Sequence, residues 1–153
     1  MTILFTIISF LIALGILITF HEFGHYLVAR LCGVKVLRFS IGFGKPLFSK
    51  QWGKDQTEWV IAAIPLGGYV KMLDEREGNV EPEDLPRSFN RQTVGRRFAI
   101  VSAGPIANFI LAIFFYWMLF IIGMNGMKPI LGPIVPASPA AFSAFEEGET
   151  IQK

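Results

Sequence analysis

Two long stretches without charge dominate the pattern of hydrophobic and polar positions along the chain. No charged residue occurs from Thr2 to Phe20, and none occurs from Phe98 to Gly126. About 20 apolar residues in a helix span the hydrocarbon core of a bilayer, so each stretch is long enough to cross a membrane. Helices buried in soluble proteins rarely stay uncharged over such a length. The pattern therefore predicts two transmembrane helices.

The first stretch lacks the features of a signal peptide. No Lys or Arg precedes Arg30, and the stretch runs into His21 and Glu22 without a small-residue cleavage site. We therefore expect a retained helix over residues 1–31, with Gly33 as its terminator.

Short runs with alternating apolar and polar residues follow the first helix, and they predict a small antiparallel sheet of β-hairpins over residues 32–73. Three strands are expected, with turns at 42–46 and 51–55 and a break at 65–68: Val34–Ile41, Thr57–Ile64 and Gly68–Met72. This unit is too apolar to bury all its large side chains, so we expect it to dip into the membrane or to pack on the helices. An acidic, proline-containing linker is expected over 74–97, and the second helix over 98–126.

The charges are concentrated between the two helices. Of the 14 Lys and Arg residues, 12 lie between Arg30 and Arg97. Positive residues mark the cytoplasmic side of a membrane, so the N-terminus and residues 127–153 are expected on the opposite side, which is the periplasm if the cell is Gram-negative. The basic residues are scattered and form no nucleic-acid-binding module. A single cysteine, Cys32, excludes an internal disulfide.

The candidate chemistry lies at the end of the first apolar stretch, in His21-Glu22-Phe23-Gly24-His25. Histidines four residues apart share one helix face and can reach a single zinc ion at about 2.0–2.1 Å. Zinc lowers the pKa of its bound water towards about 7, and Glu22 is close enough to take that proton and pass it to a leaving amine. These are also the only two histidines in the chain. Ionisable residues at membrane depth indicate a functional site, so the motif predicts a hydrolytic zinc site.

A depth estimate places Asn108 near the same level. At 1.5 Å per residue, His21 lies about 14 Å inside Arg30, and Asn108 lies about 16 Å inside Arg97. The residues alone leave two roles for Asn108, an interhelical hydrogen bond or support of the site. Gly104 and Pro105, one turn earlier, would allow close helix approach or a kink.

The metal site is expected to be incomplete in this chain. Catalytic zinc takes three protein ligands, whereas only His21 and His25 are offered here. We expect the third ligand on a helix beyond residue 153, which makes the chain a fragment that is inactive and binds zinc weakly by itself. Two other classes remain open, a non-catalytic membrane adaptor and a metal transporter. Glu22 favours hydrolysis, because neither alternative needs a carboxylate at that position.

Beyond this motif, four further segments resemble the site-2 protease family of intramembrane zinc metalloproteases: Val28–Arg30, Phe39–Gly44, Ile64–Met72 and Ala103–Phe109. The resemblance implies that His21 and His25 bind zinc and that Glu22 is the catalytic base. It also implies that the third ligand is an Asp of a later transmembrane motif. Asn108 matches the asparagine of the family's Gly-Pro-x-x-Asn motif, near the active site and the substrate.

The resemblance also implies partners and surroundings. The family cleaves membrane proteins, surrounded by lipid, within or near a transmembrane segment, and in one branch the substrate is an anti-sigma factor already trimmed in the periplasm. The edge of a membrane-dipping sheet would bind an unwound substrate as an added strand. Residues 127–153 resemble the start of a periplasmic PDZ domain. The oligomeric state stays open.

Overall fold

The structure is a computed structural model that describes residues 2–123, and the predicted start of a PDZ domain lies outside these residues. Its elements in chain order are helix α1, strands β1 and β2, two short 3-10 helices and helix α2: Thr2–Leu31, Val36–Trp52, Thr57–Met72, Leu85–Arg87, Phe89–Arg91 and Val94–Ile122. The chain divides into two units after Phe115. Every contact described below lies within the first unit.

Helix α1 follows the prediction closely. It ends at Leu31, and Gly33 has a φ of 81°, the left-handed conformation that closes many helices. The amides of Gly33 and Val34 donate to the carbonyls of Arg30 and Ala29, which satisfies two carbonyls at the helix end. By length and composition, α1 and α2 are both able to cross a membrane.

Helix α2 begins at Val94 rather than at the predicted Phe98, so the basic residues before the apolar stretch are helical as well. Thr93, a residue type favoured at helix N-caps, lies directly before it, and its carbonyl accepts from the Arg97 amide. The helix ends at Ile122, where Gly123 has a φ of 79°, a left-handed conformation that closes many helices.

The hairpin region has two long strands where three shorter ones were predicted. The predicted turn at 42–46 lies inside β1, and the predicted break at 65–68 lies inside β2. Gly42 and Gly44 have φ values of 92° and 85°, so β1 bends at these glycines without ending. The chain turns between Trp52 and Thr57, where Gly53 has a φ of 86°.

Strands β1 and β2 pair antiparallel, as predicted, but the bends fold them into a broader sheet. Phe39 pairs with Val70 and also with Trp59. Residues 38–41 pair in order with residues 58–61, so the residue numbers increase in the same direction and these two segments run parallel. The segments therefore lie in the order 46–52, 57–62, 36–41 and 68–72, which leaves residues 68–72 at one edge.

The linker between sheet and α2 is more closely packed than predicted. The Phe89 amide donates to the Leu73 carbonyl over 2.7 Å, and the Lys35 amide donates to the Arg87 carbonyl over 3.1 Å. Ser88 between them is fully buried. Within the predicted linker 74–97, residues 74–87 are exposed or half-buried, whereas Ser88 anchors the segment that leads into α2. It packs beside a core of Ala29, Val34, Val36 and Ile100.

Candidate functional site

Helices α1 and α2 lie in close contact at Gly24, inside the His-Glu-x-x-His motif. A Cβ atom on Gly24 would lie 2.5 Å from the carbonyl oxygen of Ala103 and 2.8 Å from Cβ of Ala107. Only glycine permits this approach, which resembles the small-residue crossings of membrane helices. The sequence did not identify Gly24, because a glycine at one of the two unspecified positions of the motif does not by itself indicate a contact between helices.

The two histidines face the same point on α2. Both are half-buried, with ring centroids 4.9 Å apart and ring planes at 80° to each other. A Cβ atom on Gly104 would lie 2.7 Å from Nε2 of His21 and closer still to Nε2 of His25. The two Nε2 atoms therefore converge on one small volume above Gly104, which a methyl group would fill.

Hydrogen bonding fixes the orientation of the His25 ring. Its Nδ1 lies 2.7 Å from the carbonyl oxygen of Ile100 on α2. Because a carbonyl only accepts, Nδ1 carries the proton, and Nε2 keeps its lone pair for a metal. Pro105 has no amide hydrogen for the Val101 carbonyl, but the acceptor that His25 uses is the carbonyl of the preceding residue, Ile100. Sequence reasoning could not identify Ile100, since its contribution is a main-chain atom.

Asn108 lies against the other histidine, at the level that the helix-rise estimate predicts. Its side-chain nitrogen Nδ2 is 3.4 Å from Nδ1 of His21. Its Oδ1 is buried and has no hydrogen-bond partner in the structure. The structure thus brings His21, His25, Gly104 and Asn108 together, while Pro105 faces away and is exposed.

The donor set fits zinc. Two imidazole nitrogens converge, and the opposite nitrogen of one ring is held by a backbone carbonyl, as is usual for histidine ligands. Within residues 2–123, no group of three His, Cys, Asp or Glu side chains is placed to hold a metal ion. A third ligand beyond residue 153 stays a prediction.

Glu22 stands between two cavities. One, of about 360 Å³, is shared with His25 and is bordered by charged residues at the end of β2 and just after it: Lys71, Asp74, Arg76 and Glu77. The other, of about 460 Å³, is shared with His21 and Asn108 and is lined mainly by apolar residues: Leu14, Leu17, Ile18, Phe43 and Leu66. Glu22 therefore lines both a space bordered by charged residues and a mainly apolar space.

The sheet contributes a close contact to Glu22. A Cβ atom on Gly68 would lie 2.9 Å from Cγ of Glu22 and 2.8 Å from the carbonyl oxygen of Ser40. Because Gly68 begins the edge segment 68–72, the absence of a side chain there lets the sheet edge lie against the glutamate. Phe43 and Tyr69 stack nearby, with ring planes 7° apart.

Ion pairs hold the sheet at its far end. Asp55, whose side chain is only 8% exposed, pairs with Arg30 at the end of α1 over 3.0 Å and with Arg87 over 2.8 Å. Within the sheet, two hydrogen bonds lower the pKa of Glu58 below its usual 4.5. The bond from Ser49 has the larger effect, and the bond from Arg38 adds to it. The ion pair between Asp55 and Arg30 ties the turn of the sheet to the helix that carries the two histidines.

Comparison with known proteins places the chain in a family. The profile described as peptidase family M50 matches residues 9–151. The chain is 56% identical over 152 residues to the regulator of sigma-E protease of Salmonella typhimurium, covering 99% of this chain and 34% of that protein. The Escherichia coli protein of the same name is 56% identical over 149 residues, covering 97% of this chain and 33% of that protein.

A protein of Neisseria meningitidis that carries a zinc metalloprotease name is 51% identical over 147 residues, covering 96% of this chain and 32% of that protein. The chain thus spans about a third of the length of the curated relatives it matches. The profile covers most of the chain, including both histidines and Asn108. The chain therefore belongs to peptidase family M50, and with its two apolar helices it is a membrane protein.

Proposed function

We propose that the complete protein is an intramembrane zinc metalloprotease that hydrolyses peptide bonds in or near transmembrane segments of other membrane proteins. The observation that carries this proposal is the convergence of two imidazole Nε2 atoms beside Glu22, between two helices long enough to cross a membrane. The protease name of the Salmonella typhimurium relative and the zinc metalloprotease name of the Neisseria meningitidis relative agree with it.

His21 and His25 would hold zinc, together with a third ligand from beyond residue 153. When bound, zinc supplies a Lewis acid that polarises a substrate carbonyl and lowers the pKa of a coordinated water. Glu22 takes a proton from the attacking water and returns it to the leaving amine. Gly104 supports the site, since it leaves room for both Nε2 atoms. Pro105 would support it less directly, because it follows Gly104 and interrupts the backbone hydrogen bonds of α2 at that turn.

The two cavities beside Glu22 suit two different reactants. The apolar cavity fits a segment that arrives from lipid, and the charged cavity fits the water that the reaction consumes. Peptide bonds in a helix are shielded, so the substrate must unwind. The edge segment 68–72, in contact with Glu22 through Gly68, can accept an unwound peptide as an added strand.

The location and substrate follow from the same proposal. Residues 32–97 would lie on the cytoplasmic side of a bacterial inner membrane, and the N-terminus and residues 127–153 in the periplasm, where the latter begin a PDZ domain. The names of the relatives, regulator of sigma-E protease, favour an anti-sigma factor as substrate.

The decisive test is Glu22→Gln in the full-length protein, reconstituted with a transmembrane substrate. Loss of general acid and base catalysis should lower the cleavage rate by about 10²–10⁴-fold, while bound zinc, measured by mass spectrometry, stays at the wild-type level. Glu83→Gln, at an exposed position of the linker, is the matched control and should cleave normally. Cleavage by Glu22→Gln at the wild-type rate with zinc bound would refute the protease proposal. Zinc uptake into vesicles by the same variant would instead favour the transporter.

A further inference from the structure

The two histidines of the candidate metal site are oriented differently by α2. His25 has a backbone carbonyl 2.7 Å from its Nδ1, which leaves Nε2 available for a metal. His21 needs an equivalent acceptor, because its Nε2 also points to the volume above Gly104. The group that the structure places at Nδ1 of His21 is the carboxamide of Asn108, at 3.4 Å.

The direction of this contact decides whether His21 can bind a metal. If the Asn108 nitrogen donates to Nδ1, the neutral ring carries its own proton on Nε2, and that nitrogen has no lone pair for zinc. If the carboxamide oxygen accepts from Nδ1–H, the Nε2 lone pair is free. Only the second arrangement gives both histidines the same tautomer.

The carboxamide can adopt this second arrangement without a change of shape. Rotation by 180° about its terminal bond exchanges Oδ1 and Nδ2. Oδ1 in its present position has no hydrogen-bond partner in the structure, so no donor holds the group in that orientation. After rotation, Oδ1 faces Nδ1 of His21.

We propose that Asn108 is a positioning residue for the metal site, whose carboxamide oxygen accepts a hydrogen bond from His21 Nδ1–H and fixes Nε2 towards Gly104. This inference rests on the proposed function, in which His21 binds zinc. It separates the two roles that the sequence leaves open, since an interhelical bond alone requires no particular direction of donation. An aspartate at this position would keep the acceptor and lose the donor.

The experiment compares Asn108→Leu and Asn108→Asp in the full-length protein, with Zn²⁺ alone as the probe and a competing chelator to measure its dissociation constant. Loss of a group that orients a metal ligand typically weakens binding about 10–100-fold, which we expect for Asn108→Leu. Asn108→Asp should bind within about threefold of wild type or more tightly. Ser102→Ala is the control on the same helix, because the Ser102 hydroxyl bonds only to carbonyls of its own helix.

A second measurement reports the tautomer directly. In zinc-free protein labelled with ¹⁵N-histidine, both rings should carry their proton on Nδ1 in wild type and in Asn108→Asp, whereas the His21 signals should move towards the Nε2–H form in Asn108→Leu. Wild-type zinc affinity in Asn108→Leu, or equal losses in both variants with an unchanged tautomer, would overturn the positioning role. Equal zinc binding by wild type, His21→Ala and His25→Ala would instead overturn the metal site on which the inference rests.

Discussion

Gly104→Ala should disable the site through a single methyl group. The new Cβ would lie 2.7 Å from Nε2 of His21 and closer to Nε2 of His25, whereas ordinary contacts begin at 3.4 Å. Each ring, or the helix itself, must therefore move by at least about 0.7 Å. Metal–ligand distances tolerate only about 0.2 Å. Because the methyl group also occupies the volume on which the two lone pairs converge, zinc affinity should fall by about 100-fold or more.

The assay uses the full-length protein in detergent, with zinc content and chelator competition as the first readout and substrate cleavage as the second. Gly95→Ala is the matched control, since it makes the same change in the same helix and its Cβ would have no neighbour within 4 Å. That variant should keep zinc and activity, and alanine should if anything favour the helix. Thermal melting separates a local effect from unfolding. A folded Gly104→Ala protein with wild-type zinc affinity would refute the placement of both Nε2 atoms above Gly104.

Two other predictions concern the sheet. Gly68→Ala should displace Glu22, because Cγ of Glu22 would lie 2.9 Å from the new Cβ, and should lower the cleavage rate by about 10²-fold while zinc stays bound. Gly78→Ala is the control, since its Cβ would have open space around it. Loss of zinc from Gly68→Ala would contradict the prediction. Ser49 and Arg38 hold the pKa of Glu58 below 4.5, so its contribution to stability is complete above that pH and is lost as the pH falls towards the folded-state pKa. Melting temperatures between about pH 6 and pH 3 should fall less steeply in Glu58→Gln than in wild type, and identical slopes would exclude this contribution.

The local pattern predicts the helices well and the sheet less well. Uncharged stretches locate α1 and α2, and glycines with positive φ close both helices, at Gly33 and Gly123. In the sheet, glycine and proline normally signal turns, but Gly42 and Gly44 bend a continuous strand. The parallel contact between residues 38–41 and 58–61 joins segments that are distant in sequence, and alternation within a strand carries no information about it.

The same distinction applies to the site. His21, Glu22 and His25 share one helix, so their spacing alone predicts that they act together. The estimated depth of Asn108 in the membrane places it near the level of His21, because both helices rise by a known amount per residue. Ile100 and Gly68 act through a carbonyl oxygen and through a missing side chain. Neither leaves a chemical signal in the sequence, so both required the packed structure.

The crossing at Gly24 and Gly104 couples metal binding to helix association. The imidazoles belong to α1, yet the carbonyl of Ile100 and the space above Gly104 belong to α2. Zinc held only by the associated helices would stabilise their association, by an amount that grows with the logarithm of zinc concentration. By thermodynamic reciprocity, any event that separates the two helices weakens zinc binding by the same factor. Separation of α1 from α2 would therefore weaken the metal site without altering any residue of the motif.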